Sequence, residues 1–202
     1  VAFKGIKIIL STSISIGAFS HCEKLNDINF SLDSKLQKID NYTFFNSSIK
    51  NISIPSNVSE LKENWCAGTP KLVNISIIPN NQHYIYFDDR IILGKIYTKY
   101  NDYDDLILFV RDATTIKILS FIKRISPYSF SDSLIGDIFI PLQVTKICEC
   151  AFSYCENLHH IEFPTNSKLQ TIEKYAFSCS SIESISIPSN VSELKKGWCA
   201  GT

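Results

Sequence analysis

The chain has 202 residues, of which 45% are hydrophobic, and its 20 basic and 20 acidic side chains leave a formal net charge of zero. This hydrophobic content is enough for one sizeable folded core and excludes a chain that stays disordered. Balanced charge disfavours partners that are attracted by a strong electrostatic field, so we expect no binding to nucleic acid.

A duplicated block covers more than half of the chain. Residues 14–69 and 147–202 align without a gap, and 35 of the 56 positions are identical, which excludes a chance match. Within each block an aromatic residue or a cysteine returns every 22 or 25 residues. Periods of about 20–29 residues are typical of leucine-rich repeats, in which each short unit buries its apolar side chains against its neighbours. The recurring positions are Phe19, Phe44, Cys66, Phe130, Phe152, Phe177 and Cys199.

Each repeat contains an I-x-I segment, in which two apolar residues flank a variable one. Alternation with a period of two predicts a strand with one buried side. Proline follows several of these segments and ends the strand, because it has no N–H to donate. A V-x-x-[LI] segment and an Ala-Phe pair come next, and we interpret this outer part as a short helical or irregular turn. The predicted strand cores are Ile28–Phe30, Ile52–Ile54, Ile75–Ile77, Ile138–Ile140, Ile161–Phe163 and Ile185–Ile187.

Residues 79–124 interrupt the period. Their many β-branched and aromatic residues argue against a disordered linker and favour one or two β-hairpins. We therefore predict one continuous domain of the α/β class, rich in β structure. It is a leucine-rich-repeat solenoid in residues 1–78 and 125–202, with parallel strands on a concave face and a β-hairpin insertion between the two blocks. The strand-like runs of the insertion are Tyr84–Phe87, Ile91–Leu93, Leu106–Val110 and Ile116–Leu119.

The repeat reads I-P-x-x-V-x-x-[IL]-x-x-x-A-F-x-x-C-x-x-L-x-x-I-x-[IF]-P, and its fullest copy runs over Ile140–Pro164. The insertion carries Asn81, Tyr84 and Asp88, with Asp89 where a glycine is expected. Both features resemble the BspA-like leucine-rich-repeat proteins, a family of surface antigens of some bacteria and anaerobic protists. The resemblance implies a non-catalytic, protein-binding scaffold that is displayed on the cell surface or secreted. It also implies adhesion to a host or matrix protein.

An intracellular structural or scaffolding repeat protein is the alternative function. The chain begins at Val1, contains no methionine and stops at Thr202 within a repeat, so we expect it to be a piece of a longer protein. A signal or anchor would then lie outside this piece. Its apolar runs are far shorter than the roughly 20 residues of a membrane-spanning helix, so we expect no membrane span here.

Three cysteines and two histidines fall between Cys148 and His160, a combination that suits a zinc site or a Cys–His nucleophile pair. The C-x-C-x4-C spacing matches no zinc knuckle, and no oxyanion-hole motif accompanies a nucleophile. The first block lacks four of these five residues, so a packing role is favoured. We expect no metal, no cofactor and no enzymatic activity. A disulfide between Cys148 and Cys179 stays an open alternative.

Asp102, Asp104 and Asp105 resemble the start of a calcium-binding loop. Such a loop needs a glycine at its sixth position and a glutamate at its twelfth, and both are missing. We interpret this segment as a solvated turn.

Strand residues that point away from the predicted core line the concave sheet, which is the predicted contact surface for a protein partner. An ordinary solvated sheet is the alternative. Several N-x-[ST] triplets are present, and those at Asn57 and Asn190, in the turn after a strand, are the best candidates for glycosylation in a eukaryotic secreted protein. The predicted contact residues are Asn51, Ser53, Asp137, Phe139, His160, Glu162, Ser184 and Ser186.

Overall fold

A computed structural model describes residues 5–8 (backbone only), 11–97, 100 and 102–202 of the chain. The described residues form strands and turns, without any helix. Two compact units are present, Val1–Ile92 and Leu93–Thr202. The strands are β1 (Gly5–Ile8), β2 (Ser13–Ile14), β3 (Asp27–Phe30), β4 (Lys38–Ile39), β5 (Asn51–Ile54), β6 (Glu60–Leu61), β7 (Asn74–Ile77), β8 (Ile85–Phe87), β9 (Ile91–Gly94), β10 (Asp105–Phe109), β11 (Arg124–Ile125), β12 (Ile138–Phe139), β13 (Lys146–Ile147), β14 (Ile161–Glu162), β15 (Thr171–Ile172) and β16 (Glu193–Leu194).

In the first unit, two parallel sheets run through successive repeats. Strands β1, β3, β5 and β7 form the sheet of the I-x-I segments, in which Ile52 lies opposite Ile28 on one side and Ile75 on the other. Strands β2, β4 and β6 form a second sheet from the ends of the V-x-x-[LI] segments, where Ile39 lies opposite Leu61. Equivalent residues of successive repeats are therefore direct neighbours, as the repeat period predicts.

In the second unit, the V-x-x-[LI] segments form the longer sheet. Strands β10, β11, β13, β15 and β16 follow one another in parallel, and Ile147 pairs with Ile125 and Ile172. The I-x-I segments pair over a shorter length here, through β12 with β14 and through a single bridge between His160 and Ser184. Both units are thus β-rich solenoid stacks in which every repeat buries the apolar side of the next.

A column of aromatic rings runs through the first unit at the predicted positions. The rings of Phe19 and Phe44 are stacked with centroids 5.6 Å apart. The next ring is not at Cys66 but one residue earlier: the indole of Trp65 meets Phe44 edge to face at 6.1 Å. Cys66 is itself buried, so the predicted position is correct, but the aromatic side chain comes from its neighbour.

The second unit has a longer column. Phe130 stacks on Phe152 at 4.7 Å, and Phe152 stacks on Phe177 at 5.3 Å. Trp198 closes one end edge to face at 6.2 Å from Phe177. Phe109 extends the other end at 4.9 Å from Phe130, and this member was not predicted because it lies in the interrupted repeat. The central rings are fully buried, which stabilises each repeat by roughly 1.5–3 kcal/mol per side chain.

The predicted α/β class is corrected to an all-strand, β-rich one, because the outer turn forms no helix in the described residues. Two residues four positions apart take a positive φ in each turn, for example Cys150 (53°) and Tyr154 (57°), and this interrupts a right-handed helix. The backbone N–H groups bond across repeats instead. Phe152 donates to the carbonyl of Ala176 at 2.7 Å, and Tyr154 donates to that of Ser178 at 2.9 Å. The irregular-turn alternative is therefore the correct one.

The insertion contains strands β8, β9 and β10 close to three of the predicted runs. The fourth run, Ile116–Leu119, is not a strand. It serves as the I-x-I segment of the interrupted repeat: Ile118 is buried, and the carbonyl of Thr114 accepts the N–H of Gly136 at 2.9 Å. Residues 98, 99 and 101 of the insertion lie outside the described residues. The hairpin arrangement and the domain boundaries at 78/79 and 124/125 stay predictions.

Candidate functional site

Six of the eight predicted contact residues lie in two rows on the solvent side of the second unit's I-x-I segments. Parallel pairing places Phe139 opposite Glu162 and His160 opposite Ser184. All six side chains are exposed, because the residues between them, such as Ile138 and Ile161, take the buried side. We call this surface the 137–186 face. Its rows are Asp137, His160, Ser184 and Phe139, Glu162, Ser186.

The 137–186 face offers its polar groups and one large ring to solvent. Phe139 is 46% exposed, and two acidic residues are its neighbours on this face: Glu162 lies opposite it in the next repeat, and Asp137 precedes it by two positions. No side-chain hydrogen bond or ion pair joins any of the six residues to another residue in the described part of the chain. Aromatic side chains are enriched in protein interfaces, so this exposed ring is a candidate anchor for a protein partner.

The other two predicted contact residues, Asn51 and Ser53, are hydrogen-bonded within the first unit. The Asn51 amide donates to the carboxylate of Asp27, and its oxygen accepts from the amide of Asn74 at 2.6 Å. Ser53 Oγ lies 2.6 Å from Ser76 Oγ. These side chains hydrogen-bond to one another along the sheet. The eight predicted residues therefore fall into two that are already hydrogen-bonded and six whose side chains remain open to a partner.

The cysteines and histidines between 148 and 160 have different environments. Cys148 and Cys155 are buried, and burial raises the pKa of their thiols to about 12 and about 11. His159 and His160 are exposed, and His159 Nδ1 lies 3.2 Å from the carbonyl oxygen of Ser181. Protonated, buried thiols are poor nucleophiles and poor metal ligands. Among the described residues, no cluster of three or more histidine, cysteine, aspartate or glutamate side chains is arranged so that it could hold a metal ion.

All seven cysteines are free thiols, so the alternative disulfide between Cys148 and Cys179 is not formed in this structure. Cys155, which occupies the repeat cysteine position, donates its S–H to the carbonyl of Phe130 at 3.1 Å. This contact, like the burial of Cys148, indicates a packing role.

The acidic segment after residue 101 is only in part the solvated turn that we predict. Asp102 is exposed, whereas Asp104 and Asp105 are buried. Asp104 forms an ion pair with Lys123 at 2.9 Å, and this carboxylate raises the pKa of Lys123. Asp105 pairs with Arg124 and accepts a hydrogen bond from Ser126 Oγ at 2.8 Å. Both carboxylates therefore join the end of the insertion to the following repeat.

The two predicted glycosylation residues have structural contacts. Asn57 Nδ2 donates to the carbonyl of Ser34 at 2.6 Å, and Asn190 Nδ2 donates to that of Ser167 at 2.7 Å. Each amide thus fastens one turn to the turn of the preceding repeat. The nitrogen that a glycan would modify is the one that makes this bond, and glycosylation stays a prediction.

An open cavity of about 240 Å³ lies in the second unit, and the sequence did not reveal it. Its walls combine residues of the insertion between 97 and 104 with Lys123, which lies about 20 residues further along the chain. The only sequence signal is two tyrosines three positions apart followed by an acidic cluster. The lining residues are Tyr97, Tyr100, Asp102, Asp104 and Lys123.

Short parallel strands at a 22–25-residue period, with one shared aromatic column in each unit, define a leucine-rich-repeat solenoid. The model of the BspA type leucine rich repeat region matches this chain in six copies, over residues 3–88 and 110–202. The chain therefore belongs to the BspA-type leucine-rich-repeat family, as the repeat motif predicts. No membrane-spanning helix is found in the described part of the chain.

Several solved structures share this fold. The pneumococcal vaccine antigen PcpA matches 98% of this chain with a TM-score of 0.89 and 25% identity. A leucine rich cell surface protein from Faecalibacterium prausnitzii matches 96% with a TM-score of 0.83 and 23% identity. A leucine-rich repeat protein from Eubacterium ventriosum matches 96% with a TM-score of 0.51 and 20% identity, over 76% of its own chain. This chain spans 48% of PcpA and 50% of the F. prausnitzii protein. Comparison with the curated proteins gives no match.

Proposed function

We propose that this chain is a non-catalytic scaffold that binds a protein partner through the 137–186 face. We further propose that it belongs to a protein that is displayed on the cell surface or secreted and that adheres to a host or matrix protein. The proposal rests above all on the exposed ring of Phe139, whose polar neighbours on this face form no side-chain hydrogen bond or ion pair with the residues that the structure describes.

The backbone of this face supports binding because its strands are hydrogen-bonded and packed on buried side chains. Ile138 and Ile161 below it are buried, and the N–H of Ile140 donates to the carbonyl of Glu162 at 2.9 Å. A surface that is already ordered loses little conformational entropy when a partner binds. The first unit supports the choice of face by contrast, since the polar groups of Asn51 and Ser53 are already hydrogen-bonded there.

Family membership and the similar structures favour a place at the cell surface. The F. prausnitzii protein is described as a cell surface protein, and PcpA is described as a vaccine antigen. Because this chain spans only half of each, display and adhesion are proposed for the protein that contains it.

The binding proposal is tested by measuring association of the whole chain with a panel of immobilised matrix and host-surface proteins. The double variant Phe139→Ala/Glu162→Ala should weaken binding to a captured partner by about tenfold, because it removes an aromatic anchor and a charged neighbour. The double variant Tyr154→Ala/Glu156→Ala removes the same kinds of side chain from an exposed turn and should leave affinity unchanged. Equal affinity for all three proteins would exclude this face.

The location proposal needs a separate measurement. Antibody against the chain should label intact cells of the source organism, and protease added outside those cells should remove the label. Labelling only after the cells are permeabilised would instead favour the intracellular scaffolding function.

A further inference from the structure

We propose a second binding site, formed by residues 182–202, which binds a strand segment of a partner polypeptide with the chemistry of residues 72–84. Such a segment is apolar at alternate positions and continues into an N-x-x-Y sequence, as Asn81 and Tyr84 do here. We call this site the 182–202 surface. It shares Ser184 and Ser186 with the 137–186 face but does not use the ring of Phe139.

The residues of the 182–202 surface occur twice in the chain. Residues 52–62 and 185–195 are identical, and residues 65–69 and 198–202 are identical as well. Both copies have the same parallel register, since Leu61 pairs with Ile39 and Leu194 pairs with Ile172. A segment that binds to one copy therefore meets the same chemical groups on the other.

In the first unit, this surface is covered by residues 72–84. Strand β7 pairs in parallel with β5 over four residues, so the isoleucines of the two strands lie side by side. After the strand, Asn81 Nδ2 donates to the carbonyl of Pro55 at 3.0 Å and to that of Val58 at 2.9 Å. One segment thus contacts both the strand and the turn that follows it.

Tyr84 takes the place of a further strand in the second sheet of that unit. Its hydroxyl accepts the backbone N–H of Leu61 at 2.8 Å and donates to the carbonyl of Ser59 at 3.4 Å. The side chain is 9% exposed. The hydrogen bonds that backbone groups make between other repeats are therefore made here by the side chains of Asn81 and Tyr84.

In the second unit, the identical residues are more exposed. Val58 is fully buried, whereas its counterpart Val191 is half-buried, and Leu194 is 47% exposed. The N–H groups of Glu193 and Lys195 donate to the preceding repeat at 3.1 and 2.9 Å, so the N–H of Leu194 between them points away from it. An apolar edge with outward backbone groups is the kind of surface to which an extended segment adds as a strand.

A second copy of this chain is a poorer occupant than a partner polypeptide. Residues 72–84 of each copy are already bound within its own first unit. Releasing them to cover the 182–202 surface of another copy would uncover an equivalent surface, so no net contact would be gained. A partner segment with the same chemistry has no such contact to give up.

The test is a titration of the whole isotope-labelled chain with a synthetic peptide of residues 70–86, followed by amide chemical shifts. We expect saturable shifts at residues 183–195 and none at residues 50–62, because the surface of the first unit is already covered. A peptide with the same composition in scrambled order is the matched control ligand and should cause no saturable shifts.

Variants of the peptide test the recognition chemistry. Asn81→Leu and Tyr84→Phe should each weaken binding by roughly threefold to tenfold, because each removes hydrogen bonds to the backbone of the chain. Gln82→Ala is the control, since Gln82 is exposed and its amide donates to the carbonyl of Asn80 within the same segment. This peptide should bind with unchanged affinity.

Variants of the chain locate the site. Leu194→Glu places a charge on the 182–202 surface and should weaken binding at least tenfold. Leu142→Glu places the same charge at an exposed leucine of the same unit, outside this surface, and should leave binding unchanged. Unchanged thermal midpoints show that both variants remain folded.

Several results would overturn the site: shifts that never saturate, equal binding of the scrambled peptide, shifts confined to residues 50–62, or equal loss in Leu142→Glu. Dimerisation of the chain through residues 183–195 without peptide binding, measured by analytical ultracentrifugation and amide shifts, would make a second copy the occupant and contradict the proposal. Phe139→Ala/Glu162→Ala should bind the peptide normally. Failure here therefore leaves the 137–186 face proposal standing, and the reverse also holds.

Discussion

The ring of Tyr175 lies directly over Gly197, the residue at the same position of the next repeat. A methyl group at Gly197 would come within 2.7 Å of Tyr175 Cε1, and Gly197 itself has a φ of 64°. Tyr175 also has a positive φ, of 55°. In this pair of turns the large side chain of Tyr175 therefore lies against a residue without a side chain, which lets the two turns approach closely.

Gly197→Ala should lower the free energy of unfolding by about 1–2 kcal/mol, since alanine is strained at positive φ and its methyl group displaces the Tyr175 ring. Gly136 provides a matched control. Its nearest neighbour to an added methyl group is 3.6 Å away and its φ is not positive, so Gly136→Ala should change stability by less than about 1 kcal/mol. Urea denaturation measures both. Equal effects of the two substitutions would contradict the role of the turn geometry.

The ring column predicts a steep dependence of stability on Phe152. This side chain is fully buried between Phe130 and Phe177, so Phe152→Ala should cost about 3–5 kcal/mol. Phe139→Ala removes the same atoms from an exposed position and should change the free energy of unfolding by less than about 1 kcal/mol. Urea denaturation of the two variants measures both changes. A comparable decrease in the free energy of unfolding for both would mean that Phe152 is not an interior residue of the column.

Periodicity predicted the parts of the fold that repeat, and missed those that do not. The spacing to Phe130, Phe152 and Phe177 located the column, because a buried position returns at the same place in every unit. Spacing identifies a position but not the ring that fills it, so Trp65 was missed beside Cys66. Tyr154 takes a positive φ, which tyrosine ordinarily avoids, and the sequence carries no signal of it. The sequence alone therefore does not distinguish a helical outer turn from an irregular one.

For the candidate sites, the sequence predicts which side chains are exposed but not which neighbours they contact. Alternation within the strands correctly identified the exposed side of the 137–186 face, since residues such as Phe139 and Glu162 flank buried isoleucines. It could not distinguish these side chains from Asn51, whose hydrogen bonds depend on which residues stand beside it in the neighbouring repeats. The cavity at Tyr97 depends on contacts between the insertion and Lys123, which follow no period.

Burial of Cys148 predicts a loss of stability at high pH. The pKa of this thiol rises from 9.0 to about 12, mainly because desolvation disfavours the thiolate and also because Glu173 is nearby. Below pH 9 both the folded and the unfolded chain keep the proton. Between about pH 9 and 12 the unfolded chain releases it and the folded chain does not, so the free energy of unfolding falls by up to about 1.4 kcal/mol per pH unit.

The contribution of Cys148 can be isolated from that of lysines and tyrosines, which titrate in the same range. We expect Cys148→Ala to lose less stability than the natural chain between pH 8.5 and 10.5, as measured by urea denaturation at each pH. Parallel curves for the two proteins would mean that this thiol is not protonated in the folded state at pH 10.

Asn51 and Ser184 occupy the same position of the two duplicated blocks but have different contacts. Substitution by alanine should therefore affect mainly stability at Asn51 and mainly partner binding at Ser184. Asn51→Ala breaks hydrogen bonds to Asp27 and Asn74 and should lower the free energy of unfolding by about 1–2 kcal/mol. Ser184→Ala removes a side chain that makes no hydrogen bond to the described residues, and should change stability by less than about 0.5 kcal/mol. Partner binding should reverse this order, because only Ser184 lies on the 137–186 face. A variant of Asn51 that folds stably but fails to bind would move the contact surface to the first unit, where the polar ladder would then have to open to admit a partner.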